Sequence, residues 1–313
     1  MGGKKTKLFE FDSLEGKKIQ LPCAVITGDT EGPDAVITAG IHGGEHCGVM
    51  AALNLFASIN PADVRGTIKI LTVCDVEAFE SQLSSNQTSD KRNLNRCFPG
   101  KPKSSYTDEL AMRIFDEIKG ADYHLDLHSG AKSERTVPFA IYHRGRSGAL
   151  NDRCHEIAYY FGSPNIVITE LEGSFKDKGT LYGEVYEKIG IPSAQVESGS
   201  LGMTDPASIK QITDGTLNVL KHFGTLTGQA APGIRPQIFE SMVQVHTKKA
   251  GINYRLVNAG ETVKRGQLLS LLSDYFGKPI EKVISPVNGK VLSVSEYPAM
   301  SVNGSVAWIG IGK

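Results

Sequence analysis

The stretch Ala35-Val36-Ile37-Thr38-Ala39-Gly40-Ile41-His42-Gly43-Gly44-Glu45-His46 decides how this chain is read. Its opening run is apolar and β-branched, bounded by Pro33 and Gly40, and predicts a short buried strand. His42 and Glu45 follow on a glycine-rich turn at the strand's C-terminal end. An imidazole and a carboxylate so spaced can grip one divalent metal, since zinc accepts nitrogen and oxygen donors at about 2.0–2.2 Å. Gly43 and Gly44 let the backbone bend tightly enough for the two side chains to converge. The same letters also spell H-x-x-E-H, a helical zinc-protease signature. Adjacent glycines inside it, each costing about 1 kcal/mol in a helix interior, argue for a loop instead. His42 and Glu45 are therefore read as ligands, with His46 opening the next helix.

Working outward, residues 7–11 and 18–27 predict two strands before this loop, and residues 47–59 a helix after it. Residues 67–74 predict a second buried strand, followed by a long Ser-, Asn- and Asp-rich loop over 75–103. A loop of that length inside a compact domain is usually functional. Helices are expected at 106–119, 149–161, 180–189 and 206–222, and strands at 122–127, 138–143, 165–169 and 192–196. Strands alternating with helices mean a largely parallel sheet covered on both faces. Composition shifts at 224–236, rich in Gly, Pro and Ala, and beyond it only short strands separated by Gly, Pro and Asn turns are found. The expected organisation is an α/β catalytic domain over 1–226 and a small all-β module over 237–313.

His42/Glu45, Asp75, His128 and Glu197 all fall at or just after C-terminal strand ends. In open α/β sheets ligands bind in the crevice outside those ends, so residues distant in the chain can meet there. His128 then supplies a third metal ligand and leaves one coordination position open, the catalytic arrangement rather than the closed structural one. Asp126, on the same strand, either accepts a hydrogen bond from a ligand imidazole or bonds backbone. His124 is expected to pack or face solvent rather than to ligate. Cys47 could be a soft ligand, but a small buried residue on the following helix is the expectation.

The whole-chain numbers set limits. In 313 residues, 34 basic side chains balance 34 acidic ones, so nothing favours nucleic acid or an anionic membrane as partner. The apolar runs fall short of a membrane span. Five cysteines, odd in number and without paired spacing, argue for reduced thiols and a cytoplasmic protein. Homo-oligomer formation is left open.

Four blocks appear in order: His42-Gly43-Gly44-Glu45, Asn93-Leu94-Asn95-Arg96-Cys97-Phe98-Pro99-Gly100, Asp126-Leu127-His128-Ser129-Gly130 and Val196-Glu197-Ser198-Gly199. Together they resemble the succinylglutamate desuccinylase/aspartoacylase family of zinc carboxypeptidase-like enzymes, over roughly residues 20–313. The resemblance implies that His42, Glu45 and His128 bind one zinc, that Asn95 and Arg96 hold a substrate carboxylate, and that Glu197 activates water. The chemistry agrees: zinc lowers the pKa of water to about 7, and a carboxylate can move its proton to a leaving amine. Arg96 offers a fork that binds a carboxylate bidentately.

The family pattern places another arginine several residues before the Asn-Arg pair, to polarise the scissile carbonyl. Residues 76–90 hold none, so Arg92 or zinc alone is left for that role. Residues 173–179, with glycines at both ends, are either a mobile lid or an exposed turn. The β tail resembles a biotinyl/lipoyl-type barrel-sandwich module, and Asn288-Gly289-Lys290 lacks the flanks of a modified lysine. The resemblance implies that the tail shields the crevice and limits substrate size. The expected function is zinc-dependent hydrolysis of the amide of a small N-acyl substrate. The alternatives are a metallocarboxypeptidase acting on short peptides, and a non-catalytic binding protein using the β module.

Overall fold

The structure, a computed structural model, describes residues 2–14, 16–81, 90–145, 147–170 and 178–312. Most of the 173–179 segment, expected as a lid or a turn, therefore lies outside the described residues.

The chain begins with strands β1 (Gly3–Asp12), β2 (Lys18–Thr27) and β3 (Ala35–Ala39), helix α1 (His46–Ser58), β4 (Thr67–Leu71) and α2 (Val76–Glu80). It continues with α3 (Tyr106–Ile118), β5 (Tyr123–His128), β6 (Glu134–Thr136), β7 (Phe139–His143), α4 (Gly148–Phe161) and β8 (Asn165–Thr169). Then come α5 (Leu181–Glu184), β9 (Ser193–Glu197), α6 (Pro206–His222) and β10 (Gln237–Phe239). One nine-stranded sheet runs in the order β1-β2-β4-β3-β5-β9-β7-β8-β10. Its centre is parallel through β4, β3, β5 and β9. β1 and β2 add antiparallel at one edge, and β7 runs antiparallel to β9.

Every residue of β3, β5, β8 and β9 is buried, as expected of strands covered on both faces. Alternation sorts the side chains: Ile37 and Ala39 pack with α1, α4 and α6, whereas Val36 packs with α3 and α5 on the other face. α1 approaches β5 so closely that a Cβ on Gly48 would lie 2.5 Å from the Leu127 carbonyl oxygen. Helix starts follow their caps. Ser105 accepts from Asp108 N ahead of α3, and Asp205 from Ser208 N ahead of α6, where Pro206 is at home in the first turn.

The long loop after β4 carries more structure than its composition predicts. Asp75 caps the short α2, and Leu94–Arg96 forms one 3₁₀ turn. The expected 180–189 helix is present as α5 followed by a π-helical turn, Val185–Ile189, closed by Gly190 at φ 67°.

The C-terminal part contributes β11 (Ser241–His246), β12 (Gly251–Arg255), β13 (Thr262–Val263), β14 (Leu268–Ser273), β15 (Pro279–Ile284), β16 (Gly289–Ser295), β17 (Ala299–Met300) and β18 (Ser305–Ile311). One of its antiparallel sheets is β11-β18-β16-β13 and the other β15-β14-β12-β17, closed over a core that includes Val263, Leu269, Leu272, Val291 and Ile309. The two bodies exchange strands. β10 completes the large sheet beside β8, so sheet membership changes at Glu240. In return β6 leaves the large sheet and pairs with β16. Both strands are only three residues long, too short for a period to show in the sequence.

Candidate active site

Strand ends and register bring the distant blocks together. β5 lies between β3 and β9, placing Thr38 beside Asp126 and His128 beside Glu197. The loop after β3 swings His42 and Glu45 over the end of β5. Gly43 permits the turn, since a Cβ there would lie 2.1 Å from the carbonyl carbon of Ala78.

Glu45 sits between the two imidazoles. Its Oε1 is 2.6 Å from His42 Nδ1, its Oε2 2.8 Å from His128 Nδ1, and Ser129 N–H donates to that second oxygen at 3.2 Å. The outer nitrogen of each ring is already engaged. His42 Nε2 meets Asn93 Oδ1 at 3.2 Å, and His128 Nε2 meets Asp126 Oδ2 at 2.9 Å. Both rings thus present Nδ1 inward, and one donor atom from each of His42, Glu45 and His128 falls within 4.8 Å of the others. Two imidazole nitrogens and one carboxylate suit a zinc-type cation, with the remaining ring nitrogens fixing orientation.

The electrostatics of the cluster ask for a cation. Burial disfavours ionised Glu45, yet His42 and His128 hold its carboxyl down at about 2. Burial also disfavours a charged His128, but Asp126 and then Glu45 outweigh it and raise the ring well above its ordinary value. Glu197 is pushed well up by burial and by the Glu45 charge, and Glu134 is raised by the same causes. Carboxylates crowded out of water in this way are normally matched by a metal or a cationic partner.

Around the cluster lies a cavity of about 560 Å³, lined by His42, Glu45, Asn95, Arg96 and Glu197 from the large domain. The module supplies its outer wall, including Ser293, Tyr297, Asn303 and Trp308. Asn95 is buried and accepts from Leu181 N at 2.8 Å at the start of α5. Its amide donates to Gln195 Oε1 at 3.3 Å, and Gln195 donates to Glu197 Oε1 at 2.9 Å. Arg96 donates to the Asn95 carbonyl and borders the cavity.

Other expectations sort clearly. Arg92 does not line the cavity: its guanidinium donates to Asp108 Oδ2 at 2.7 Å and to Ser105 Oγ at 2.6 Å, and the side chain is 41% exposed. The carboxylate of Asp108 at the start of α3 holds the guanidinium there. Asp75 is buried and caps α2 through Ala78 N at 3.1 Å, burial raising its carboxyl to about 7. Cys47 is buried on α1, and its thiol donates to the Met203 carbonyl. His124 is buried between Thr38 and Ser193, and burial lowers its ring to about 4.

Sequence reasoning missed Gln195, Thr38 and Glu134. The first two lie on β9 and β3, short strands buried throughout, where the run gave no signal for the polar member within it. Glu134 lay in the polar run Lys132-Ser133-Glu134-Arg135, whose one signal was its nearness to the His128 block.

The fold and site define a mixed α/β protein with a His-Glu-His candidate metal centre at its strand ends, roofed by a β module. Residues 31–223 match the model of the succinylglutamate desuccinylase/aspartoacylase catalytic domain, and the chain belongs to that family. It is 30% identical over 298 residues to an N-alpha-acetyl-L-2,4-diaminobutyric acid deacetylase of Halomonas elongata, covering 91% of this chain and 83% of that protein. The product-bound structure of the ectoine utilization protein EutE (DoeB) from Ruegeria pomeroyi superposes with TM-score 0.85 at 26% identity, over 99% of this chain and 95% of that one. A succinylglutamate desuccinylase/aspartoacylase structure from Rhodobacter sphaeroides shares the fold at TM-score 0.84 and 24% identity, over 100% of this chain and 96% of that one. Among the described residues no helix is long and apolar enough to cross a membrane.

Proposed function

We propose that the chain is a cytoplasmic, zinc-dependent deacylase that hydrolyses the amide of a small N-acyl amino acid. The observation that carries this reading is the convergence of His42 Nδ1, Glu45 and His128 Nδ1 at one end of a cavity that Glu197 and Arg96 also line. Residues 1–226 would form a zinc-carboxypeptidase-like catalytic domain, and residues 237–313 a capping domain. The Halomonas elongata relative, named for deacetylating an N-acetyl amino acid, supports the same class of substrate.

His42, Glu45 and His128 would hold one zinc per chain. When bound there, the metal supplies a Lewis acid that acidifies water and polarises the acyl carbonyl. Glu197, whose carboxyl burial already biases toward holding a proton, takes the proton of the attacking water and delivers it to the departing amine nitrogen. Gln195 and Asn95 fix the direction of Glu197 through one continuous hydrogen-bonded run. Arg96 receives the carboxylate of the amino-acid part as a charge-assisted fork. Asp126 keeps the His128 tautomer that leaves Nδ1 free for metal. Arg92 steadies the loop carrying Asn95 and Arg96 by its bond to Asp108.

The module's wall over the crevice favours small substrates over peptides. The test is metal analysis with a side-by-side assay of N-acetyl amino acids, N-succinyl amino acids and blocked dipeptides. About one zinc per chain, removed in His42→Ala, is expected from a single three-ligand site. Cleavage of dipeptides alone would replace this reading with a carboxypeptidase, and a metal-free inert chain would make it a binding protein.

A further inference from the structure

Asn95 and Arg96 stand on one 3₁₀ turn, and that turn is held by the segment Gly179-Thr180-Leu181 at the start of α5. Phe98 N–H donates to the Gly179 carbonyl at 3.2 Å, and Leu181 N–H donates to Asn95 Oδ1 at 2.8 Å. The two backbones touch between these bonds. A Cβ on Gly179, whose φ is 82°, would lie 2.4 Å from the Arg96 carbonyl oxygen and 3.0 Å from its Cα. Thr180 and Tyr182, from the same stretch, line the cavity. The position of Arg96 therefore follows that of residues 179–181.

One buried carboxylate fixes this segment. Thr180 occupies the cap position of α5 but makes no capping bond through its side chain. Glu184, one turn further on and 6% exposed, reaches back instead, and its Oε1 accepts the Gly179 N–H at 3.0 Å. Its own N–H donates to the Thr180 carbonyl at 3.0 Å, so side chain and backbone grip the segment together. The other oxygen, Oε2, is buried and has no hydrogen-bond partner among the described residues. A carboxylate shielded from water with one oxygen unused is unfavourable as a device for stability alone. Glu184 does not line the cavity, and among the described residues its carboxylate holds only the backbone against which Arg96 is packed.

We propose that Glu184 is a positioning residue for the substrate carboxylate: by holding the Gly179 N–H it sets where Arg96 presents its guanidinium. This rests on the deacylase reading for Arg96 as the carboxylate's partner. The role needs the hydrogen bond rather than the charge, and no proton moves in it.

The experiment compares binding of 2-aminobutyrate and its carboxamide, which lacks the carboxylate, to the zinc-loaded protein by isothermal titration. Wild type, Glu184→Gln and Glu184→Ala are measured. Wild type is expected to bind the acid about tenfold tighter or more, the scale of a charge-assisted hydrogen bond. Glu184→Gln, whose amide oxygen can still accept from Gly179, should keep that preference. Glu184→Ala should lose it through weaker binding of the acid, with carboxamide affinity and zinc content unchanged, since a small misplacement of a binding group is costly. Should Glu184→Ala fail to fold, Glu184→Asp, one methylene too short for Gly179, takes its place. The ratio of kcat/KM for the two N-acetyl derivatives should follow the binding ratio. No preference in wild type, a preference that survives loss of the Gly179 bond, or one lost equally in Glu184→Gln overturns the assignment. Acid preference with this dependence on residue 184, but without hydrolysis of either acetyl derivative, would remove the deacylase reading and leave the positioning role standing.

Discussion

Asp126 and His128 project from the same face of β5, and Asp126 Oδ2 accepts from His128 Nε2 at 2.9 Å. The other carboxylate oxygen accepts the Thr38 hydroxyl at 2.7 Å from the neighbouring strand. Thr38 Oγ1 also lies 2.9 Å from His124 Nε2, and His124 Nδ1 2.7 Å from Ser193 Oγ. One buried run of hydrogen bonds across β3, β5 and β9 thus sets the orientation of a candidate metal ligand.

Replacing Asp126 by Asn keeps the shape but removes the charge that holds His128 with Nδ1 inward. Zinc affinity, measured by competition with a chelator, should drop about 10- to 100-fold, the usual range for such supporting partners. An unchanged affinity would mean that the His128 ring is positioned by packing alone.

Glu197→Gln separates metal binding from proton transfer. The amide still fits beside Gln195, and His42, Glu45 and His128 are untouched, so zinc content should stay as in wild type. Turnover should fall about 10²- to 10⁴-fold, the contribution typical of a positioned acid-base group. Retained activity would assign the base to another group, with Glu134 the first to examine because it is the other unligated carboxylate on the cavity.

Much of this site was legible before the structure, for physical reasons. Buried parallel strands are written as short apolar runs, so their C-terminal ends could be located, and His42, Glu45, His128 and Glu197 lie at those ends. What the sequence hid was direction and exchange. Nothing in the residues of β7 says that it runs antiparallel to β9, since direction follows from how the chain returns after β6. β6 reads Glu-Arg-Thr and β10 Gln-Ile-Phe, and pairing with a partner strand, not local pattern, makes each a strand. Arg92 shows a different limit: proximity in sequence to Asn95 and Arg96 suggested the cavity, but Asp108 on α3 competes for the guanidinium.

Gly43 gives a steric test of the metal loop. Its backbone runs so close to α2 that an added Cβ would meet Ala78 C at 2.1 Å and Ala78 O at 2.3 Å, and backbone cannot rotate aside as a side chain can. Gly43→Ala should therefore cost about 1–3 kcal/mol of stability, as overpacking does. The forced shift should also separate His42 from His128. Thermal unfolding with and without zinc checks both: the wild type should gain stability from the metal, and the variant should not. A full zinc-dependent gain in Gly43→Ala would show that the loop tolerates displacement without losing the ligand geometry.

The Arg92–Asp108 contact makes a prediction whose sign depends on pH. Burial alone would raise the Asp108 carboxyl, but hydrogen bonds from Arg92, Ser104 and Ser105 hold it below its ordinary value of 3.8. A carboxyl depressed by folding stabilises the fold above its unfolded pKa, and the contribution disappears as pH falls through the folded value. Asp108→Asn should thus be less stable than wild type at neutral pH, and the two should converge in acid below the ordinary aspartate range. With Arg92 41% exposed the contribution is screened, and about 1 kcal/mol in urea unfolding is expected. Arg92→Ala should show the same pH-dependent deficit with little change in KM, because it acts on the loop rather than on substrate. A loss of kcat by orders of magnitude in Arg92→Ala, with stability intact, would instead return the arginine to the reacting carbonyl.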